Sequence, residues 1–268
     1  GESGCGKSTL GRCVLQLAKP SHGKVNFMGE DITRASGRRL VKLRRDMQII
    51  LQNPYSSMNP RLKIVTALKE VLRVHNLYQG KEEERILQML ELVGLSGEAL
   101  DKYPHQFSGG QLQRIAIARA LLVEPKFIVA DEPVSALDVS VQAQVLNLLM
   151  ELKKRLGLTM LFVAHDLSVV EHISSRMAVM YLGKIVEMAD VKAIYRKSRH
   201  PYTQALISAI PVPDPGLPMK EDVLEGDVPS PIELPEGCRF AGRCPKCGDI
   251  CRSIEPQYRE VEEGHYVA

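Results

Sequence analysis

Short apolar segments alternate with helical segments along much of this 268-residue chain. The runs Lys126–Ala130 (KFIVA), Thr159–Ala164 (TMLFVA) and Met177–Tyr181 (MAVMY) have the length of strands and offer almost no polar, solvent-facing side. Strands of this kind are typical of parallel sheets, which helices cover on both faces. Val139–Leu156 has the length of a helix, and Asp138 is a candidate for its cap. We therefore predict an α/β fold built on a parallel sheet.

A helical stretch interrupts this alternation. Between Leu62 and Leu122 apolar residues recur at helical spacing, which predicts an inserted helical subdomain. Further along, the segment 211–236 carries seven prolines and many acidic residues, which is typical of an extended linker. We therefore expect three parts: a core formed by 1–53 and 124–195, a helical subdomain over 54–123, and a C-terminal extension over 196–268.

The composition argues against two classes of partner. The formal net charge of +3, the absence of Trp and an aromatic content of 5% do not favour a nucleic-acid partner. No apolar run approaches the about 20 residues that a membrane helix needs. No signal peptide is visible, so we expect a cytosolic chain. The sequence opens inside a functional loop, and we expect that residues preceding this loop are missing from it.

That loop is GESGCGKST, Gly1–Thr9, which fits the pattern G-x4-G-K-[ST]. Glycines let the backbone wrap around phosphate oxygens, and the helix that follows directs its positive end at them. Lys7 would bind the β- and γ-phosphates and Ser8 would ligate Mg²⁺. The alternative is a chance match in a glycine-rich turn. We expect Cys5 to be a small filler inside the loop, with a redox role as its alternative. The residues predicted to contact ATP here are Gly1, Ser3, Gly4, Cys5, Gly6, Lys7, Ser8 and Thr9.

Polar residues follow three of the predicted strands. The segment KFIVADEP ends in Asp131 and Glu132, and ligands of open α/β sheets bind beyond the carboxyl ends of strands. Asp131 could hold Mg²⁺, and Glu132 could polarise an attacking water. His165 ends the next strand and is a candidate for a γ-phosphate contact. Gln52 ends the apolar run Met47–Gln52 (MQIILQ), which also has the length of a strand, and could bind the metal ion or the water. The alternatives are a polar turn for the two acids and a structural role for the histidine.

The chain then resembles a known family. FSGGQLQR (Phe107–Arg114) is similar to the signature motif of ATP-binding cassette (ABC) ATPases, and SALD (Ser135–Asp138) follows like the D-loop of that family. The resemblance implies a P-loop NTPase fold, that is, an ABC-type nucleotide-binding domain with a helical subdomain and a small Cys-rich C-terminal extension. It also implies an ATPase in which Glu132 orients water while Lys7 and His165 stabilise charge on the γ-phosphate.

In this family the signature completes the ATP site of a second subunit. The resemblance therefore implies a dimer, which we expect to be a heterodimer of two ABC ATPase subunits. A helix that starts near Gln111 would direct its positive end at the phosphates of the partner's ATP. The residues predicted to contact that ATP are Ser108, Gly109, Gly110 and Gln111, together with Asp138 of the D-loop.

Two further stretches resemble the oligopeptide/dipeptide importer ATPases: HPYTQALISAIPVPDP (His200–Pro215) and QNPYSSMNPR (Gln52–Arg61). The resemblance implies two membrane permease subunits met by the loop 53–61, an extracellular substrate-binding protein, and a peripheral position on the cytoplasmic face of the plasma (inner) membrane. Dipeptide, oligopeptide, glutathione and nickel stay open as substrates. The alternative is a soluble ABC ATPase acting on nucleic acid or the ribosome, which the low net charge disfavours. In the family, residues preceding the phosphate loop stack on adenine.

Four of the six cysteines lie in CRFAGRCPKCGDIC, at Cys238, Cys244, Cys247 and Cys251. A cytosolic setting disfavours disulfides, and four such thiolates can hold zinc or an iron–sulfur cluster. The importer family has cysteines matching the first, second and fourth of these, which bind a [4Fe–4S] cluster in some members, and Cys247 could replace a further family cysteine. Iron–sulfur, zinc and no metal all stay open. We expect this segment to fix the C-terminal tail and have no reason to place it in the ATPase reaction.

Overall fold

A computed structural model describes residues 1–2, 4–210, 229–230 and 234–268. Within them the chain forms two compact units, one made of Gly1–Lys7 with Ala164–Ala268 and the other of Ser8–Val163. Most of the predicted linker 211–236 lies outside the described residues.

The helices and strands follow the chain in this order. The strands are β1 (Asn26–Phe27), β2 (Glu30–Asp31), β3 (Met47–Ile50), β4 (Phe127–Asp131), β5 (Thr159–Val163), β6 (Arg176–Tyr181), β7 (Lys184–Asp190), β8 (Arg259–Glu262) and β9 (His265–Val267). The helices are α1 (Lys7–Val14), α2 (Gly37–Asp46), α3 (Ile64–Val74), α4 (Glu82–Leu92), α5 (Gly109–Leu121), α6 (Val139–Leu156), α7 (Leu167–Ile173), α8 (Val191–Lys197), α9 (Pro201–Ser208) and α10 (Asp249–Ser253).

The unit Ser8–Val163 is built on a parallel sheet, as predicted. Its strand order is β3-β4-β5, and the central strand β4 is buried from Ile128 to Asp131. Helix α1 crosses β4 at Gly11, where a side-chain Cβ would lie 2.9 Å from Cγ1 of Val129. A side chain at this position would force α1 or Val129 to shift, so glycine favours this close approach of α1 to β4.

The helical stretch of the same unit is also confirmed. Helices α3, α4 and α5 lie within it, and α5 has the most buried residues of the three. Helix α6 has the predicted bounds, and Gly157 ends it in the left-handed conformation at φ 62°. Asp138 stands at the predicted N-cap position in an extended conformation, but its side chain makes no capping hydrogen bond to the helix.

The other unit contains an antiparallel sheet with the strand order β6-β7-β9-β8. The predicted strand over Met177–Tyr181 is confirmed as part of β6, but it pairs antiparallel with β7 and not with a parallel neighbour. The reason lies in the two-residue turn Leu182–Gly183, whose φ values of 41° and 80° match the primed turns that close tight hairpins. Two positive φ values at this point turn the chain straight back on itself.

The core of this unit is aromatic. The rings of Tyr181, Tyr202 and Phe240 lie 4.7 to 5.4 Å apart between centroids, and each residue is at most 1% exposed. Phe240 belongs to the cysteine segment, so one side chain of that segment is part of the core. No helix among the described residues has the length and apolar character needed to span a membrane.

Candidate active site

The phosphate loop holds the ammonium group of Lys7 on its own backbone. Nζ donates to the carbonyl oxygens of Gly1 and Glu2, at 2.9 Å in both cases. Gly4 and Gly6 have φ values of 78° and 98°, which L side chains rarely adopt, so the loop needs glycine at both positions. A lysine held in this way at the first turn of a helix can bind phosphate oxygens together with backbone N–H groups. Ser3 lies outside the described residues.

Ser8 and Asp131, both predicted to bind Mg²⁺, are hydrogen-bonded to each other. The Ser8 hydroxyl donates to Oδ1 of Asp131 over 2.8 Å, and Asp131 is 5% exposed. Hydroxyl and carboxylate oxygens are ligands that suit Mg²⁺, so this pair fits the predicted metal site. Thr9 follows on α1 and is exposed.

Gln52 and Glu132 form the second pair of this site. Nε2 of Gln52 donates to Oε2 of Glu132 and to Oγ of Ser135, at 3.1 Å in both cases. The Glu132 backbone has φ 48°, an uncommon value for a residue with a side chain, and its N–H donates to the Val163 carbonyl over 3.0 Å. The carboxylate is thus held beside an amide at the end of β4. A water oriented there would be within reach of a general base.

The signature motif forms the start of α5. Ser108 caps the helix, since its Oγ accepts from the Gln111 N–H over 3.3 Å while the Gln111 Oε1 accepts from the Ser108 N–H over 3.1 Å. The glycines of the motif have a packing role that the sequence analysis did not predict. A Cβ on Gly110 would lie 2.3 Å from Cγ1 of Val141 on α6, and one on Gly109 would lie 3.3 Å from Leu137.

The segment after Gln52 is tied to the signature by contacts that sequence reasoning missed. The Tyr55 hydroxyl donates to the Phe107 carbonyl over 3.3 Å, and the Arg119 guanidinium donates to the Ser57 carbonyl. Burial lowers the pKa of Arg119 somewhat, and Glu70 opposes that shift. The loop 53–61 thus contacts both the residue before Ser108 and the last turn of α5.

For two of the predicted site residues, His165 and Asp138, the structure gives their exposure and their position beside a helix. His165 is exposed and lies directly before Asp166, whose side chain caps α7 by accepting from the Ser168 N–H over 2.9 Å. Asp138 is exposed at the start of α6. The predicted ATP contacts of both residues stay predictions.

The four cysteines of the C-terminal segment are partly buried free thiols. The Cys238 N–H donates to the Cys251 carbonyl over 2.8 Å, and burial raises the pKa of the Cys238 thiol, with the neighbouring Cys244 and Cys251 adding to this shift. Within the described residues, no group of three or more Cys, His, Asp or Glu side chains is placed to hold one metal ion.

Sequence reasoning also missed the residues that contact the phosphate loop from this segment. The Arg243 guanidinium pairs with the Glu2 carboxylate, and the Tyr202 hydroxyl accepts from the Glu2 N–H. Both residues lie in stretches that the sequence analysis singled out, HPYTQ and CRFAGRC. Their charge and hydroxyl were the available signals, but nothing in the sequence identified Glu2 as their partner.

Comparisons with known proteins agree with this geometry. The family described as "ABC transporter" matches residues 1–135, and the family described as "Oligopeptide/dipeptide transporter, C-terminal region" matches residues 186–251. The chain is 47% identical to the oligopeptide transport ATP-binding protein OppF of Haemophilus influenzae, with 100% of this chain and 82% of the relative covered. It is 48% identical to the oligopeptide transport ATP-binding protein AppF of Bacillus subtilis, with coverage of 100% and 83%.

A solved structure is similar as well. The structure of cbiO1 from Clostridium perfringens, described as part of the ABC transporter complex cbiONQ, has a TM-score of 0.66 and 29% sequence identity. The match covers 74% of this chain and 77% of that one. The fold prediction for the nucleotide-binding domain is thereby confirmed, while the Cys-rich extension as a separate element is not.

Proposed function

Because this chain belongs to the ABC transporter family of ATP-binding proteins, we propose that it is the ATP-hydrolysing subunit of an importer of peptides. The observation that carries the ATPase part is the meeting of Ser8 with Asp131 beside the Gln52–Glu132 pair. The peptide part rests on the match of residues 186–251 to the C-terminal region of oligopeptide/dipeptide transporters. Neither the matched families nor the matched relatives support a soluble ABC ATPase that acts on nucleic acid or the ribosome.

The proposed chemistry assigns one task to each group. Lys7 binds phosphate oxygens of ATP, and the Ser8 and Asp131 oxygens hold Mg²⁺. When bound, Mg²⁺ neutralises negative charge on the phosphates. Glu132 accepts a hydrogen bond from the attacking water and orients it, while Gln52 keeps the carboxylate in place. His165 is proposed to contact the γ-phosphate.

We further propose that two ATPase subunits close on the nucleotide, with the signature residues Ser108–Gln111 and Asp138 directed at the ATP of the other subunit. The capped start of α5 supports this, because N–H groups at a helix start favour an anion. The loop 53–61 is proposed to meet a membrane permease, and its contacts with Phe107 and α5 supply a mechanical connection. The chain would act peripherally at the cytoplasmic face, with permeases and an extracellular substrate-binding protein as partners.

An iron–sulfur or zinc centre on Cys238, Cys244, Cys247 and Cys251 stays a prediction, and no step of the proposed reaction uses it. Anaerobic purification with visible absorbance, iron, sulfide and zinc analysis tests it. Bound iron and sulfide in equal amounts would support the cluster, and zinc alone would support the other metal. Protein free of all three would contradict both.

The proposed function is tested by transport. A strain that lacks this gene should lose ATP-dependent uptake of peptides, and the intact gene should restore it. A gene carrying Lys7→Ala should not, although its product still assembles with the permeases. The matched control is Lys192→Ala, an exposed lysine on α8. Co-purification with ribosomes or DNA in place of permeases would contradict the proposal.

A further inference from the structure

A bidentate ion pair connects the phosphate loop to the cysteine segment. Nη1 of Arg243 lies 3.1 and 2.9 Å from the two carboxylate oxygens of Glu2, and Nη2 lies 3.1 Å from Oε1. The Arg243 side chain is 8% exposed and the Glu2 side chain 26%. The hydrogen bond to Glu2 raises the pKa of Arg243. Paired charges with this geometry and burial are among the stronger polar contacts in proteins.

The backbone of Glu2 is held at two further points. Its N–H donates to the hydroxyl of Tyr202 over 2.9 Å, and its carbonyl accepts from Nζ of Lys7 over 2.9 Å. Tyr202 is fully buried, and burial raises the pKa of its hydroxyl, which therefore stays neutral. Through its carbonyl, Glu2 thus helps to fix where the Lys7 ammonium stands.

The same segment reaches the loop by a second route. The Arg239 guanidinium donates to the Leu182 carbonyl, and the next residue, Gly183, donates its N–H to the Cys5 carbonyl over 2.9 Å. Between the two arginines, Phe240 is 1% exposed and packs against Tyr181 and Tyr202. The segment 239–243 is therefore anchored in the core and supports the loop on both sides of Gly4.

We propose that Arg243 is a positioning residue for ATP binding, acting through Glu2 on the phosphate loop and Lys7. The inference rests on the proposed function, since it requires that this loop binds ATP. The cysteine segment is then no passive tail, because the ATP affinity depends on how that segment is folded. Arg243 itself touches no reacting atom.

The test is the ATP dependence of hydrolysis by the complete transporter in membranes. Arg243→Ala should raise the KM for ATP by about tenfold and leave kcat close to the unchanged protein, since a charged hydrogen bond of ordinary strength is lost from the support of the loop. Arg243→Lys keeps the charge but cannot make the bidentate contact, so its KM for ATP should lie between those of wild type and Arg243→Ala. Arg252→Ala, at an exposed arginine directly after the cysteine segment, is the matched control and should change neither constant.

A merely structural role predicts a different result. If Arg243 only stabilised the tail, its loss would lower the amount of active protein, and therefore kcat, at an unchanged KM; that outcome would overturn the inference. Glu2→Gln removes the charge of the pair from the other side and serves where Arg243→Ala does not fold. It should raise KM similarly, and combined with Arg243→Ala it should add little, because both variants remove one interaction.

Measurements on the wild-type protein and on Lys7→Ala distinguish a failure of the proposed function from a failure of the role proposed for Arg243. Absence of ATP binding by wild type would contradict the proposed function itself. Normal binding by wild type, loss in Lys7→Ala and a wild-type KM in both Glu2→Gln and Arg243→Ala would leave the function intact and refute the role of Arg243.

Discussion

The hydroxyl of Ser8 donates to a carboxylate oxygen of Asp131 over 2.8 Å, across a separation of 123 positions in the chain. Gly11 lies one turn further along α1, and its lack of a side chain lets the helix lie close to Val129 of β4. A glycine outside the nucleotide site thus helps to pack together the two elements that carry the candidate Mg²⁺ ligands Ser8 and Asp131.

The first prediction concerns this pair. Asp131→Asn keeps the volume of the side chain but removes its charge, so the binding of Mg²⁺ should weaken and hydrolysis should fall by about a hundredfold or more. Binding of ATP in the presence of a chelator should stay unchanged, because Lys7 and the loop are intact. The measurement is nucleotide binding with and without Mg²⁺, together with the ATPase rate. Asp249→Asn, at an exposed aspartate, is the control, and equal loss in both variants would contradict the assignment.

The second prediction concerns Glu132. Glu132→Gln should leave ATP binding near normal and slow hydrolysis by about 10² to 10⁴-fold, since an amide cannot act as a base towards water. The assay is single-turnover hydrolysis by the assembled transporter. Glu151→Gln, at an exposed position on α6, should hydrolyse ATP like wild type. Full turnover by the Glu132 variant would refute its role.

The third prediction separates packing from phosphate contact at the signature glycine. Gly110→Ala should reduce the free energy of unfolding by roughly 1–3 kcal/mol, because its Cβ would overlap Val141. Alanine has a higher helix propensity than glycine, so a loss of stability cannot come from helix propensity. Urea denaturation measures it. Adding Val141→Ala should restore much of the loss, and Gly248→Ala, where a Cβ meets nothing within 4 Å, is the control. An unchanged stability would contradict the clash.

The fourth prediction concerns pH. Burial lowers the pKa of His200 to about 4, with Glu187 opposing the shift, and its Nδ1 accepts from the Tyr202 N–H over 3.1 Å. The unfolded chain, with a pKa near ~6.5, binds the proton more readily than the folded one. Stability should therefore fall as the pH drops from ~6.5 towards 4, by up to about 3 kcal/mol.

His200→Asn checks this, because asparagine can accept the same hydrogen bond at the start of α9 but does not titrate. Its unfolding free energy should depend less on pH over this range than that of wild type, even where its absolute stability is lower. His172→Asn, at an exposed position on α7, should retain the wild-type slope. A wild-type slope in the His200 variant would contradict the prediction.

Much of the sheet and of the site was predictable because it depends on local patterns. The apolar runs of β4 and β5 indicated parallel strands, and the acids at the end of β4 then had to lie at the sheet edge. The predicted burial is confirmed for β4, whereas in β5 only Val163 is buried. Helix α6 had the predicted bounds because its apolar spacing ends at Gly157. The antiparallel partner of β6 was missed because its turn begins with Leu182, a residue that gives no signal for positive φ.

The rest depends on contacts between distant positions. The need for glycine at 110 comes from Val141 on another helix, so the motif alone suggested only an approach to phosphate. The partner of Glu2 lies 241 positions away, and a single charge has no periodicity that would reveal it. Such pairings are decided by tertiary packing, which a single sequence does not display.

The compact unit that joins residues 1–7 with residues 164–268 has a consequence for biogenesis. Translation proceeds at about 5–20 residues per second, so Glu2 leaves the ribosome roughly 10–50 s before Arg243 is made. During that interval the loop lacks the ion pair and the Tyr202 hydroxyl that hold it in the finished protein. A nascent chain therefore gains these two contacts only when its synthesis nears completion, and a product terminated before Tyr202 lacks both of them.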